Sequence, residues 1–137
     1  MKKSSRRKFV QQAGLAALAP VAMPGLPSGK AEELKNVFIH QVYFWLKNPG
    51  SDAGREKLIE GLKKYLTGIE VLQAYHIGVP AGTPRTVVDG SYDVSWLAVF
   101  KDKAAQDAYQ VHPDHKKFVD EYGPLFEKVI VYDSVDS

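Results

Sequence analysis

Three side chains in this sequence could move protons if the fold brings them together. They are His40, Tyr109 and His115. An unperturbed histidine titrates near pKa ~6.5, so it can act as base or acid around neutral pH. A nearby tyrosine hydroxyl can donate a hydrogen bond to an oxygen that gains charge as an enolate forms. Together they suit removal of a proton next to a carbonyl, or an aldol-type ring closure. Tyr109 and His115 are therefore the candidate catalytic pair. His40, Phe44 and Phe118 are candidate substrate contacts, because each shares a strand face or helical stripe aimed at the same interior. An inward histidine can equally be a hydrogen-bonded core residue, and the sequence leaves both readings open. His112 and His115 have i, i+3 spacing, which can place two imidazoles on one metal. No acidic residue or third histidine joins them, so no metal and no cofactor is expected, and His112 is read as a helix cap.

The elements that must position these residues follow from periodicity. Residues 37–47, VFIHQVYFWLK, carry β-branched and aromatic residues on both parities and read as a strand covered on both sides. Asn48-Pro49-Gly50 stops it. Residues 52–66 form a helix candidate with Leu58, Leu62, Tyr65 and Leu66 on one stripe, Ser51 or Asp52 capping its start and Gly68 closing its end. A second strand is expected over 69–79, a loop over 80–91 and a third strand over 92–100. Asp102 then caps a short helix. Pro113 disfavours helical geometry at His112 and suits the first turn of a new helix, which runs to about Tyr122. His115, Phe118, Tyr122, Leu125 and Phe126 would share its apolar stripe if it continued past Gly123-Pro124. A last strand covers 127–135. The order β-α-β-β-α-β is the ferredoxin-like α+β pattern, an antiparallel four-stranded sheet with helices on one face. The other face carries Tyr43 and Trp45 and needs a cover, which a two-fold homodimer would supply.

Charge and composition exclude several functions. Residues 1–30 hold six basic residues and no acidic one, whereas residues 31–137 hold twelve basic and sixteen acidic. The formal charge of +2 thus misrepresents a mildly acidic domain, which lacks the basic footprint of a nucleic-acid or anionic-membrane binder. With no cysteine, disulfides, thiolate metal sites and cysteine nucleophiles are absent. No phosphate-binding glycine loop, Gly-x-Ser-x-Gly elbow or His-Glu-x-x-His motif occurs.

The first thirty residues read as a leader. A basic start precedes an apolar stretch from about Ala13 to Leu26, interrupted by Pro20 and Pro24, which is too short for a stable membrane span and leaves no anchor once removed. Ser5-Arg6-Arg7-Lys8-Phe9-Val10 resembles the twin-arginine export signal, which implies a bacterial-type periplasmic or secreted protein exported already folded. Residues 1–30 are thus expected to be leader and linker, and residues 37–135 the single domain.

Within that domain the strand Ile39-His40-Gln41-Val42-Tyr43-Phe44, the join Val99-Phe100-Lys101-Asp102 and the Tyr109–His115 run resemble the stress-responsive dimeric A/B-barrel family over Phe38 to about Val135. The resemblance implies a homodimer whose two sheets face each other as a barrel. One branch of the family comprises plant polyketide cyclases that close a ring by aldol condensation. Their catalytic tyrosine and histidine match Tyr109 and His115, and their opening-strand histidine matches His40. Where they carry a third-strand histidine this chain has Val94, so its pocket differs. The expected function is binding of a small organic molecule between sheet and helices. The alternatives are a cofactor-independent cyclase, lyase or isomerase, and a stress-protective dimer without a ligand.

Overall fold

The computed structural model describes residues 29–137, of which Lys35–Ser137 form one compact unit. The proposed leader and its arginine pair lie outside the described residues. Four strands, β1 (Phe38–Leu46), β2 (Ala74–Gly78), β3 (Val94–Phe100) and β4 (Phe126–Val135), build one sheet in the order β2-β3-β1-β4, every pairing antiparallel. Three helices, α1 (Asp52–Tyr65), α2 (Lys103–Gln110) and α3 (Pro113–Tyr122), pack on one face of it. This is the ferredoxin-like α+β fold read from the sequence.

The central strand β1 obeys its two-residue repeat throughout. Phe38, His40, Val42, Phe44 and Leu46 are buried under the helices, while Ile39, Gln41, Tyr43 and Trp45 are half-buried on the other face. Both parities are apolar, yet within the described residues only one is covered. On the open face Tyr43 meets Tyr92 and Tyr132 edge-on at 5.0 and 6.2 Å, and the Lys128 ammonium sits 4.5 Å over the Trp45 ring.

Helix ends are set by the residues expected to set them, with one exception. Ser51 accepts from the Gly54 amide at 3.1 Å and Asp102 from the Ala105 amide at 2.8 Å. His112 caps α3, its Nδ1 accepting from the Asp114 amide at 3.0 Å, with Pro113 in the first turn. The end of α1 departs from expectation. It closes with the Leu66 amide still donating to the Leu62 carbonyl, and Gly68 takes no left-handed conformation there.

Several strand and helix limits also shift. Residues 69–72 precede β2 rather than begin it, because the Ile69 and Leu72 amides donate to Leu66 and Ile69 carbonyls instead of to a neighbouring strand. Strand β3 begins at Val94, not Tyr92. The buried Asp93 carboxylate accepts from the Leu46 and Gly50 amides at 2.9 Å each, with the Arg55 guanidinium 3.6 Å away, and so clamps the turn that leaves β1. The α3 stripe does not continue as helix. Gly123–Leu125 form a single 3₁₀ turn, and Phe126 enters β4, where its ring still reaches Phe44 at 4.9 Å and Phe118 at 6.1 Å.

Helix α3 seats against α1 through a glycine contact. A Cβ on Gly61 would stand 2.5 Å from the Tyr122 ring, so this close approach requires glycine. Tyr122 in turn stacks on Phe118 at 5.5 Å, and the Tyr65 hydroxyl bonds Glu121 on the outer side. These contacts fix the helix that carries His115.

Candidate functional site

Between the sheet and helices α2 and α3 lies an open cavity of about 380 Å³. Its walls include all five side chains singled out from the sequence: Tyr109, His115, His40, Phe44 and Phe118. Each arrives by a separate route. His40 and Phe44 project from the buried parity of β1. Tyr109 ends the buried stripe of α2, and His115 and Phe118 lie three residues apart on α3. The Tyr109 ring stands between the two imidazoles, 5.8 Å from His40 and 4.8 Å from His115, edge-on to both.

The electrostatics of the three groups differ. His40 is 5% exposed, and its Nδ1 lies 2.6 Å from Oδ1 of Asp133, opposite it on β4. An ionised carboxylate only accepts, so Nδ1 of the neutral ring carries the proton and Nε2 keeps a free lone pair. Tyr109 is 1% exposed, and burial pushes its phenol far above the ordinary range, a shift partly offset by a hydrogen bond from Trp96. The hydroxyl therefore stays protonated at any working pH. His115 moves the other way. Burial first, and then electrostatic interaction with the nearby His40 and His112 rings, hold its imidazole below the usual histidine value, which favours the neutral form that can accept a proton. The cavity thus offers a neutral base, a protonated phenol and an imidazole with a fixed tautomer, set among Val42, Phe44, Phe118, Phe126 and two β4 valines.

His112 takes no part in this arrangement. Its Nδ1 caps α3 and its Nε2 lies 3.2 Å from Glu70, so both nitrogens are occupied away from His115. Among the described residues no three His, Asp or Glu side chains are grouped to hold a metal. His76 lies exposed on the edge strand β2.

Four cavity residues with polar side-chain atoms were not singled out from the sequence: Asp133, Trp96, Gln106 and Gln110. Asp133 had a visible signal. Val129, Val131 and Asp133 repeat at two-residue spacing, which puts an acid on the same face of β4 as two valines. What the sequence lacks is the strand register that sets Asp133 opposite His40. Gln106 is 7% exposed and donates from Nε2 to Oε1 of Gln110 at 2.9 Å. Its inward placement was not legible, because a short helix gives too few turns to settle which flank faces inward.

The lowered His115 value has a consequence for stability. Folding favours its neutral form, so the unfolded chain binds more protons as pH falls below the unfolded value near ~6.5. The contribution is complete above that pH and is lost as pH drops through the folded value. Urea unfolding at pH 7.5 and pH 5 should therefore show a smaller loss of stability on acidification for His115→Gln than for the wild type; equal losses would refute it.

The matching family model, the stress-responsive A/B barrel domain, spans residues 38–136. Among curated proteins, none matches the chain. Solved structures do. A Dabb-family protein with a ferredoxin-like fold from Mesorhizobium loti is 27% identical, with a TM-score of 0.62 over 74% of this chain and 97% of that one. A dimeric ferredoxin-like protein of unknown function from Thermobifida fusca is 21% identical, with a TM-score of 0.62 over 80% of this chain and 100% of that one. The hydroxynitrile lyase of Passiflora edulis is 15% identical, with a TM-score of 0.64 over 76% of this chain and 96% of that one. The last two establish likeness of fold alone. With the model covering nearly all of the domain and the fold in agreement, the chain belongs to the stress-responsive A/B barrel (Dabb) family.

Proposed function

We propose that this chain is an exported, homodimeric A/B-barrel protein that binds a small organic molecule in the cavity between its sheet and helices. One observation carries the reading. The space beside Tyr109 and His115 is open, at about 380 Å³, within the size range of small-ligand sites, and convergent polar groups interrupt an apolar lining. A purely structural dimer would have no use for a cavity in its core, because unfilled volume of that kind lowers stability.

A second reading is favoured by the His40–Asp133 bond and by the opposed shifts of Tyr109 and His115. It is acid–base catalysis next to a carbonyl. His115 takes a proton from the carbon beside the carbonyl, and the electron pair moves onto the oxygen, which Tyr109 stabilises with its hydrogen bond. His115 then returns the proton to carbon in an isomerisation, to the leaving group in a lyase step, or, where the enolate carbon attacks a second carbonyl in a ring closure, to the oxygen of that carbonyl. The fold-level likeness to a hydroxynitrile lyase is compatible with a lyase-type step, by analogy only.

Acetophenone tests both readings at once. The wild type should bind it and accelerate exchange of its methyl protons for deuterium in D₂O, measured by proton NMR. His115→Ala should bind with little change yet lose the acceleration. Phe118→Trp, which fills the cavity, should abolish binding. Binding without exchange would eliminate catalysis at a carbonyl and leave the binding role; no binding of this or other small aromatic carbonyl compounds would refute the pocket reading.

The covering partner of the open sheet face is a second copy. Dimeric relatives of the same fold support this, as does the cluster of Tyr43, Trp45, Tyr92, Ile130 and Tyr132 around a depression of about 370 Å³. The mature protein should sediment as a dimer at micromolar concentration and Trp45→Glu as a monomer, whereas a monomeric wild type would overturn the assignment. The export route rests on the Arg6-Arg7 pair. Changing both to lysine should leave the protein in the cytoplasm, and unaltered export would rule out the twin-arginine route.

A further inference from the structure

The Tyr109 hydroxyl has a partner whose chemistry allows only one direction of bonding. Trp96 Nε1 lies 3.1 Å from it. An indole N–H can donate and cannot accept, so the tyrosine oxygen accepts here. One lone pair is thereby occupied on the β3 side, and the hydroxyl proton must point elsewhere. Among the described residues Trp96 is the hydrogen-bond partner of this hydroxyl, and no bond donated by the tyrosine is formed. A buried hydroxyl with an undonated proton is costly, and the open side of Tyr109 is the cavity.

Trp96 is held firmly enough to impose this direction. It is 1% exposed, it follows Val94 on the buried parity of β3, and the Tyr75 ring stacks on it at 5.5 Å and 21°. Accepting a hydrogen bond also polarises the O–H that accepts it, so the same contact strengthens what Tyr109 donates. It acts in the sense that lowers the tyrosine value against the effect of burial.

We infer that Trp96 is a positioning residue for the cavity: its indole N–H turns the Tyr109 hydroxyl into a one-way donor aimed at a ligand oxygen that carries or acquires negative charge. The ligand class this selects is a phenol or an enolisable carbonyl compound, rather than an apolar molecule lacking an oxygen. The inference rests on the pocket reading above and adds to it a chemical class and a residue. A purely structural Trp96 would fill space without favouring the anionic form of a ligand.

Two measurements decide it. Without ligand, the indole N–H signals of Trp45 and Trp96 are followed in a ¹⁵N–¹H spectrum and assigned with Trp45→Phe. Tyr109→Phe should move the Trp96 signal upfield and speed its exchange with solvent, and an unmoved signal would overturn the link. With 4-nitrophenol as probe, whose phenolate is read by visible absorbance, Trp96→Phe should weaken phenolate binding by about threefold to tenfold while neutral phenol binding holds. The pH at which the bound probe ionises should rise accordingly. In the Tyr109→Phe background Trp96→Phe should have no further effect. Equal weakening of phenol and phenolate, or an effect that persists without the tyrosine hydroxyl, would reduce Trp96 to packing. A wild type that binds no probe would count against the pocket reading, and the ligand-free indole signal would still decide the Trp96–Tyr109 link.

Discussion

The two-residue repeat of β1 is the constraint on which the rest hangs. Sitting between β3 and β4, this strand must satisfy two neighbours along its backbone and two environments across its faces. A slip of one residue would turn His40, Val42 and Phe44 out of the core and send Gln41, Tyr43 and Trp45 in. The cavity wall and the uncovered apolar face are therefore opposite readings of one strand. The Asp93 clamp at the end of β1 reinforces this alignment, since it ties the turn after β1 to the start of β3 through a carboxylate that is 2% exposed.

Within the cavity, chemistry is separated by environment rather than by residue type. Two histidines five to six ångströms from one tyrosine ring receive different treatment. His40 has a carboxylate partner that fixes its tautomer, whereas His115 has burial, above all, that keeps it neutral. The tyrosine is kept protonated by the same burial that lowers the histidine, because desolvation disfavours whichever form is charged. One apolar lining thus prepares a donor and a base together.

Much of this was legible in the sequence. Periodicity of 2 and 3.6, the caps at Ser51, Asp102 and His112, and the break at Pro113 place Tyr109, His115, His40, Phe44 and Phe118 on inward faces, and those faces meet. The failures share a cause. Asp133 and Trp96 matter through cross-strand register and through a bond between β3 and α2, which are relations between segments and not properties of either. The limits of β2 and β3 were misplaced because Val71, Leu72 and Tyr92 have strand-like side chains while their backbones are engaged in turns or beside the Asp93 clamp. Gly68 is a helix stop by composition only. The helix had already ended at Leu66 with its own hydrogen bond.

The His40–Asp133 bond joins the first strand of the domain to the last, across 93 positions of sequence. Asp136 repeats the tie a little further out, its carboxylate receiving the Asn36 and Val37 amides. A ribosome delivers these partners at opposite ends of its work on the domain. While β4 is still in the exit tunnel, β1 lacks one neighbour, the cavity lacks a wall and His40 lacks the acceptor that sets its tautomer. The His40 imidazole is therefore completed only by the last strand of the domain, so a nascent chain has no closed cavity wall and no fixed His40 tautomer until β4 has emerged.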